Sequence, residues 1–512
     1  MKHLLTSTLC SLLLGAPAMA EFFWEDHYLI EDITLPADID PQIGGLDMNE
    51  DGDIVACFHR GQVMTYDTSA DKWSLFAEGL HEPLGIYAEK GGTVVVVQRP
   101  EITRLHDTDG DGKADFYETV CDDWGVSGNY HEFTFGLEKD SKGNFYIALG
   151  TASNGSGVRD EIRGEWNDAG GLTHDRFKYN NAIEEQSWAS KKKGTPRMYA
   201  RVPYRGCVLK VSPGNRTAEV YATGVRTPNG LYVDEHDQLW VSDNQGDWVG
   251  ASKVHRIVEG GFHGHAASLL WDPKNPVTDA VPASIPPAEL NKRRTKAPFL
   301  LPQGDCGNSI TQMTGLQPEF SNGTAGNNLI VGEMNHSHLS ACLPDTVKGE
   351  VQGAVYHHLK TSTIGAGNNR LLYSPDNKSL YIGKTHLSWP GREGIKKVTY
   401  KGKPFLVADR VQLTETGFDI TFNAPITDIG AISDYLIESY VIAYYAGYGS
   451  PKNELRTDGI TQVEAKGNVL SITLDKLEAG RVYDIRLPSS ITSDLSDIAA
   501  TRYWYTAHQI LD

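Results

Sequence analysis

Three features are scarce in this sequence of 512 residues: cysteine, basic charge and long hydrophobic runs. None of the six cysteines stands in a Cys-x-x-Cys-His motif, which excludes covalently attached c-type haem, and no Cys/His spacing indicates a zinc site. Lys and Arg total 47 against 66 Asp and Glu, and the net charge of −19 argues against a nucleic-acid partner. Beyond the N-terminus, no hydrophobic run is long enough to span a bilayer.

The N-terminal segment has the pattern of a secretory signal peptide. Lys2 and His3 form a short positive start, residues 4–14 are apolar, and residues 18–20 read Ala-Met-Ala, a typical cleavage site. The apolar run is too short to act as a membrane anchor. The sequence therefore predicts a signal peptide over residues 1–20 and a soluble exported protein, either periplasmic or secreted.

Cleavage at this site leaves five cysteines, an odd number. At least one of them is then unpaired in an oxidising compartment. Cys306 and Cys342 are candidates for a disulfide bond, although spacing alone does not decide the pairing.

A strand pair introduced by a turn recurs between residues 21 and 407. Each copy runs from an apolar strand through an Asp/Gly/Asn turn into a strand of the type Leu/Phe-Tyr/Trp-Val/Ile. The copies span residues 45–55, 84–96, 135–147, 230–241, 315–331 and 371–383. Such a unit cannot bury its apolar face alone, so the copies must pack against one another. With about six copies, the pattern predicts a six-bladed β-propeller whose innermost strands converge on an axial pocket.

Two long excursions interrupt the repeats, at residues 152–204 and 263–308. Loops of this length inside a repeat fold are usually functional or disordered. We expect at least one of them to cover the pocket.

The repeats stop after residue 407. Apolar and polar residues then alternate with a period of two, for example over residues 418–422 and 469–474, which predicts a half-buried antiparallel sandwich. The chain is thus predicted to be all-β, with a propeller over residues 21–407 and an immunoglobulin- or fibronectin-like β-sandwich over residues 408–512. We interpret the second domain as a structural or carbohydrate-contacting appendage.

Residues 107–118 match the calcium-binding loop of an EF-hand. Gly112 stands at the sixth position, where the loop turns sharply, and Lys113 can offer its backbone carbonyl at the seventh. Side-chain oxygen ligands stand at the remaining ligand positions: Asp107, Asp109, Asp111, Asp115 and Glu118. Because the preceding residues 101–105 are typical of a strand, we predict a structural rather than a catalytic calcium ion.

Polar residues flank the predicted strands where a propeller directs side chains towards its axis, just before an inner strand or just after the next one. They are His59, Arg60, Arg99, His131, Arg226, Thr227, Asn229, Asp243, Asn244, Asn335, His336, Arg370, Thr385 and His386. So many convergent imidazole, guanidinium and amide groups predict a pocket for a polar ligand.

Three stretches of the chain resemble the glucose/sorbosone dehydrogenase superfamily, the quinoprotein sugar dehydrogenases with six-bladed propellers. They are residues 131–150, 226–246 and 260–265. Within the superfamily, the chain is most similar to the membrane-bound dehydrogenases of planctomycetes and verrucomicrobia. Residues 103–118, 349–353 and 403–422 carry that closer similarity.

The resemblance implies a sugar or aldose oxidoreductase that uses pyrroloquinoline quinone (PQQ) and an electron acceptor. His131 would be the general base that takes the proton of the sugar C1 hydroxyl while hydride leaves for the quinone. Arg226 and Asn229 would assist it, and Arg226 and Arg370 would pair with the quinone carboxylates. The other residues expected to contact the cofactor are Arg60, Arg99, Asn244, Gln245, Gly246, Asn335 and His336.

Two alternatives to this function stay open. The first is a lyase or hydrolase acting on an acidic polysaccharide, in which histidine and tyrosine transfer protons and arginine neutralises a uronate. Its candidate residues are His131, His263, His336, Tyr204, Arg60, Arg99 and Arg226. The second is a non-catalytic glycan-binding protein whose loop tryptophans stack on sugar rings, with Trp166, Trp188, Trp248 and Trp271 as candidates. In each case the partner is a sugar or a polysaccharide.

Overall fold

The computed structural model describes residues 22–153, 163–167, 198–274, 285–323, 326–386 and 391–512. The predicted signal peptide, Trp188 and most of the first excursion lie outside these ranges. Within them the chain is nearly all-β, as the sequence predicted. None of the described helices is both long and apolar enough to cross a membrane.

Strand β1 (Tyr28–Ile33) precedes two antiparallel four-stranded sheets, β2–β5 and β6–β9. The strands are β2 (Ile43–Met48), β3 (Ile54–Phe58), β4 (Val63–Asp67), β5 (Lys72–Ala77), β6 (Gly85–Ala88), β7 (Val94–Val97), β8 (Ile102–His106) and β9 (Phe116–Cys121). Strand β7 is an unbroken run of buried valines, whose branched side chains favour the extended backbone.

The next two sheets also have four strands each, in the orders β10-β11-β14-β15 and β16-β17-β19-β20. The strands from here to residue 301 are β10 (Thr134–Lys139), β11 (Phe145–Leu149), β12 (Ala152–Ser153), β13 (Met198–Tyr199), β14 (Cys207–Val211), β15 (Glu219–Thr223), β16 (Gly230–Val233), β17 (Leu239–Asp243), β18 (Asp247–Val249), β19 (Ser252–Arg256) and β20 (Phe299–Leu301). A 3-10 helix (Ala266–Trp271) and helix α1 (Pro287–Arg293) lie between β19 and β20.

Two further sheets complete this part of the chain. They use β21 (Ile310–Gly315), β22 (Leu329–Glu333), β23 (Leu339–Val347), β24 (Glu350–His358), β25 (Asn368–Tyr373), β26 (Ser379–Lys384) and β27 (Gly394–Tyr400). Strand β1 pairs with β27, so the N-terminal strand completes the sheet β1-β27-β26-β25. This pairing ties the two ends of the segment together in one sheet.

The first strands of the six sheets form a ring, which we call the ring strands. They contact one another in the order β2, β6, β10, β16, β21 and β25, and β25 contacts β2. The ring strands approach very closely: a Cβ atom at Gly85 would lie 1.2 Å from the carbonyl oxygen of Gly136. Glycine at this position therefore lets β6 and β10 pack backbone to backbone.

The C-terminal segment forms two packed sheets. Its strands are β28 (Ala408–Leu413), β29 (Gly417–Phe422), β30 (Ile426–Asp428), β31 (Leu436–Val441), β32 (Tyr444–Tyr448), β33 (Asn453–Thr457), β34 (Ile460–Lys466), β35 (Val469–Leu474), β36 (Arg481–Arg486), β37 (Thr492–Ser493) and β38 (Arg502–Ala507). Phe418 of one sheet packs against Tyr483 and Tyr505 of the other, with ring centroids 5.3 and 5.1 Å apart.

The C-terminal segment is joined to the ring sheets at two places. Strand β38 pairs with β24, so β21–β24 continue into one eight-stranded sheet across the predicted boundary at residue 407. Strand β32 pairs with β18, with Asp247 opposite Tyr448 and Val249 opposite Tyr444. The pairing of β32 with β18 places part of the C-terminal segment next to the ring sheets, at the end where β18 lies.

The five cysteines of the described chain are free thiols in buried positions. The disulfide considered for Cys306 and Cys342 is not formed. Both residues pack instead as apolar side chains in one hydrophobic cluster.

Candidate functional site

A cavity of about 440 Å³ lies where the ring strands begin, and we call it the histidine cavity. Seven residues that the sequence predicted for the pocket line it: His131, Arg226, Thr227, Asn229, Asn244, Gln245 and Asn335. His131, Arg226 and Asn229 precede β10 and β16, whereas Asn244 and Asn335 follow β17 and β22. The structure therefore brings together side chains from four separate strand ends.

Two buried carboxylates hold the loops of this cavity. Asp243 accepts hydrogen bonds from the backbone N–H groups of Arg226 (3.1 Å) and Thr227 (2.7 Å). Glu333 does the same for Asn308 (2.8 Å) and Asn335 (2.8 Å). Because these bonds fix the backbone, the side chains that line the cavity start from defined positions.

The imidazole of His131 is buried and has one protein partner. Its Nδ1 lies 3.1 Å from the carbonyl oxygen of Thr151, which can only accept a hydrogen bond, so Nδ1 carries the proton. Nε2 then has a free lone pair, and no described residue bonds to it. Burial, with a further contribution from the positive charge of Arg226, lowers the pKa of His131 to about 3. The ring is therefore neutral and can accept a proton at Nε2.

Arg226 is a buried guanidinium with few partners. Nη1 donates to the hydroxyl of Thr227 (3.0 Å), and within the described chain Nε has no acceptor and no carboxylate lies within 4 Å. Gly246 packs against it so closely that a Cβ atom there would be 2.1 Å from Nε. The ring of Tyr448, from β32, lies 5.5 Å from the guanidinium carbon.

Amide oxygens form much of the remaining polar wall. The side-chain oxygens of Asn244, Gln245 and Asn335 are buried and have no hydrogen-bond partner among the described residues. These oxygen atoms are screened from solvent, so other atoms of the three side chains line the cavity. The cavity thus presents amide side chains, one guanidinium without a carboxylate partner in the described chain, and one imidazole lone pair.

Arg370 does not line the histidine cavity. It donates to the carbonyl oxygens of Gly44 (2.6 Å) and Leu84 (3.0 Å) and to the side-chain oxygen of Asn229 (3.0 Å). Asn229 in turn donates to Asn369 (3.2 Å). This hydrogen-bonded layer separates the histidine cavity from a cavity of about 200 Å³ on its other side.

This smaller cavity, the carboxylate cavity, is lined by Asp47, Glu138 and Arg370 among others. Burial raises the pKa of Asp47 to about 6. Burial and the charge of Asp47 raise the pKa of Glu138 to about 8. The two cavities therefore differ in charge: one holds an unpaired arginine, and the other holds two carboxyl groups that favour protonation.

The remaining residues predicted to contact a cofactor lie elsewhere. Arg99 pairs with Glu82 and donates to backbone carbonyls, and Arg60 pairs with Asp40, 2.5 Å away. Both belong to a neighbouring cavity of about 590 Å³, whereas His336 lines another of about 730 Å³.

The alternative proton-transfer and stacking residues also lie away from the histidine cavity. His263 is buried against His255, and Tyr204 packs beside Trp271. Trp248 is buried, and Trp166 packs under Arg201. Within the described chain, no tryptophan lines the histidine cavity.

Sequence reasoning missed several lining residues. Asn308 and Ser309 directly precede the ring strand β21, so the rule used for His131 could have found them. Tyr448 carried no such signal, because it reaches the cavity through the pairing of β32 with β18.

The described residues do not fit PQQ. Its several carboxylates need several cationic partners. The described lining of the histidine cavity offers Arg226 alone, because Arg99 and Arg370 are already bound to protein oxygens in other places. No reaction step is therefore assigned to this quinone.

The predicted calcium loop brings three of its acidic side chains together. Ligand oxygens of Asp107, Asp109 and Asp111 all lie within 4.8 Å of one another, and Gly112 has φ of 87°. Asp115 accepts a hydrogen bond from the hydroxyl of Thr108 (2.6 Å). Glu118 has a different partner, since its carboxylate lies 3.1 Å from Nε2 of His106.

A family model described as a domain of unknown function (DUF7133) matches residues 60–263. No curated protein matches the chain. Among solved structures, the chain is similar to the holo form of the pyranose dehydrogenase PQQ domain from Coprinopsis cinerea. That match has 13% identity and a TM-score of 0.47, and it covers 73% of this chain and 95% of the other.

Two further structures illustrate the range of similar proteins. The PQQ-bound aldose sugar dehydrogenase from Streptomyces coelicolor has 12% identity and a TM-score of 0.42, with coverage of 75% and 99%. A luciferin-regenerating enzyme has 11% identity and a TM-score of 0.43, with coverage of 74% and 97%. Similarity at this level transfers no residue role, cofactor or activity to this chain.

Proposed function

We propose that this protein is an exported, carbohydrate-active oxidoreductase that binds a sugar in the histidine cavity, with His131 as general base. The observation that carries the proposal is the neutral imidazole of His131, whose Nδ1 donates to Thr151 and whose Nε2 is left without a proton. A base held in one tautomer beside a ligand cavity suits removal of a hydroxyl proton.

The amide side chains that line the cavity support a ligand rich in hydroxyl groups. They belong to Asn244, Gln245 and Asn335. A sugar supplies several hydroxyl groups on one small ring, and a hydroxyl can both donate to and accept from an amide. The apolar side chains of Phe133 and Phe135 can cover the less polar faces of the ring.

Oxidation of a sugar carbon removes a proton and a hydride. His131 would take the proton, while an electron acceptor bound beside the sugar would take the hydride. Arg226 lies close enough to influence the imidazole, and its positive charge would also stabilise negative charge that develops on the sugar oxygen.

The test is dye-linked oxidation of a panel of aldoses by the purified protein, with and without added quinone and calcium. We expect dye reduction that His131→Ala lowers by about 100-fold, because general-base catalysis typically contributes that much or more. His236→Ala is the matched control, since His236 is exposed in the turn between β16 and β17 and does not line the cavity. Absence of dye reduction with every sugar would rule the oxidoreductase out.

A second candidate is a lyase that acts on an acidic glycan. It is favoured by the lone guanidinium of Arg226 near His131 and by Tyr130, whose ring centroid lies 5.5 Å from that of His131. Arginine would neutralise a uronate carboxylate, and histidine or tyrosine would remove the adjacent proton. Incubation with uronate polysaccharides, followed by ultraviolet detection of unsaturated product, distinguishes this reaction from oxidation.

We also propose that the ring strands belong to the six blades of a propeller and that the C-terminal sheets form a sandwich domain. The closed order of contacts among the ring strands supports the first assignment, and the shared core around Phe418 supports the second. An experimental structure would test both assignments.

Calcium binding by residues 107–118 is part of the same proposal. The EF-hand pattern and the convergence of Asp107, Asp109 and Asp111 support it. We expect EDTA to lower the melting temperature by a few degrees and Ca²⁺ to restore it, whereas the double variant Asp109→Asn, Asp111→Asn should no longer respond. An identical EDTA response in that variant would contradict the assignment.

A further inference from the structure

Arg226 differs from Arg99 and Arg370, two other buried arginines around the ring, because within the described chain its guanidinium has one hydrogen-bond acceptor, Thr227, and no carboxylate within 4 Å. Arg99 pairs with Glu82, and Arg370 is bound by several carbonyl oxygens. No acidic residue is among the described residues that line the histidine cavity, although the sequence has 66 Asp and Glu. A buried cation without an anion is costly, so the missing anion is expected to arrive with the ligand.

The guanidinium of Arg226 is held in a defined position. The carboxylate of Asp243 fixes the backbone of Arg226, and Gly246 and the ring of Tyr448 pack against its side chain. The guanidinium is planar by delocalisation, and packing against an aromatic ring holds that plane in one orientation. Nε is covered by Gly246, so a carboxylate in the cavity would be bound through the terminal N–H groups of the guanidinium.

Tyr448 belongs to the C-terminal segment. The pairing of β32 with β18 places Asp247 opposite Tyr448, and the N–H of Gly449 donates to the carbonyl oxygen of Gly246 (3.0 Å). Tyr448, which packs on one side of Arg226, is therefore linked through its neighbour Gly449 to Gly246, which packs on the other side. The C-terminal segment completes the wall of the cavity.

We propose that the histidine cavity selects a sugar that carries a carboxylate group, that Arg226 binds this carboxylate, and that Tyr448 is the positioning residue for Arg226. The inference rests on the proposed carbohydrate site but holds for either reaction. The cavity volume of about 440 Å³ is in the usual range for small ligands, roughly 300–1,000 Å³.

Binding of a carboxylate to Arg226 would also change the strength of His131 as a base. In the free protein, the charge of Arg226 adds to burial in lowering the pKa of His131. A carboxylate bound to Arg226 would offset that charge and raise the pKa of His131. The acidic ligand would thereby make the imidazole a stronger base.

The test is calorimetric titration of the full mature protein with glucuronate, galacturonate and mannuronate, and with glucose and glucuronamide. Glucuronamide has nearly the same shape as glucuronate but no charge. We expect at least one uronate to bind roughly 10- to 100-fold more tightly than its neutral counterpart, the range expected for hydrogen bonds to a charged group. Arg226→Gln should remove this preference, and Arg226→Lys should restore part of it.

Tyr448 is tested by the same ratio of affinities. Tyr448→Leu should reduce the preference for uronate, because it removes the ring beside the guanidinium, whereas Tyr448→Phe should keep it. Arg256→Gln is the control, since Arg256 is exposed on β19. A change in neutral-sugar binding with an unchanged ratio would show that Tyr448 does not position Arg226.

The outcomes separate this inference from the proposed function. If none of the three uronates binds more tightly than the neutral sugars while sugar binding is intact, the carboxylate proposal is overturned and the carbohydrate site stands. Selective uronate binding without dye reduction would support the inference and remove the oxidoreductase. Failure of every sugar to bind would overturn both.

Discussion

Arg226 and Arg370 are both buried at the centre of the ring, yet their surroundings differ. Arg370 donates to the carbonyl oxygens of Gly44 and Leu84 and to the side chain of Asn229. Arg226 makes one side-chain hydrogen bond within the described chain, to Thr227, and lines the larger cavity. Burial lowers the pKa of Arg370 to about 10, which leaves it charged at neutral pH.

Arg370 and Arg226 illustrate how an arginine with a structural role differs from an arginine that binds a ligand. The N–H groups of Arg370 are hydrogen bonded to protein oxygens, and these bonds join strands that are distant in sequence. Arg226 has one protein acceptor, Thr227, and no carboxylate within 4 Å in the described chain. Burial and charge alone would assign both residues the same role, whereas their partners distinguish them.

The largest expected effect comes from replacing the partnered arginine. Arg370→Met should lower the free energy of unfolding by about 3 kcal/mol or more, because it leaves several buried carbonyl oxygens without donors. Arg226→Met is the matched control, and we expect it to change stability by less than about 1 kcal/mol. Urea unfolding measures both, and equal losses would contradict the distinction between the two arginines.

The second effect concerns ligand binding. Arg226→Gln should weaken uronate binding roughly 10- to 100-fold while leaving the unfolding transition nearly unchanged. The effect follows from removing the uncompensated charge from the cavity. A variant that loses stability together with binding would indicate that Arg226 has a structural role like that of Arg370.

The carboxylate cavity predicts a dependence of stability on alkaline pH. The folded-state pKa of Glu138, about 8, lies above its ordinary value of 4.5, so folding binds a proton between these values. Stability is therefore lost as the pH rises from about 4.5 to 8. Glu138→Gln should remove this loss and gain roughly 2–4 kcal/mol over the wild type at pH 8.5, measured by urea unfolding. A profile parallel to that of the wild type would argue against protonated Glu138.

The histidine cavity predicts a smaller effect in the opposite direction. The folded-state pKa of His131 is about 3, below the ordinary value of 6.5, so the unfolded chain binds the extra proton between these values. Stability is therefore lost as the pH falls from 6.5 towards 3. His131→Gln should reduce the loss between pH 6.5 and pH 4 by roughly 1–3 kcal/mol, while buried His265 and His358 continue to contribute. If thermal unfolding shows the same loss of stability at acidic pH in the variant as in the wild type, the lowered pKa of His131 is contradicted.

Much of the candidate site could be read from the strand repeat. Apolar and polar residues alternate along a strand with a period of two, so the ends of strands can be located in the sequence. His131, Arg226, Asn244 and Asn335 all lie at such ends. The same rule also proposed Arg99 and His336, which the structure places in other cavities. Position relative to a strand predicts direction, but it does not reveal which atoms are already hydrogen bonded.

The sequence by itself determined the all-β class, the repeating strand pair and the polar strand ends, because these depend on local periodicity and turn residues. Tertiary structure alone decided that Arg370 is bound by Gly44 and Leu84, and that Tyr448 reaches Arg226 from the C-terminal segment. These contacts join residues far apart in the chain. They arise from the packing of whole sheets, so no local pattern encodes them.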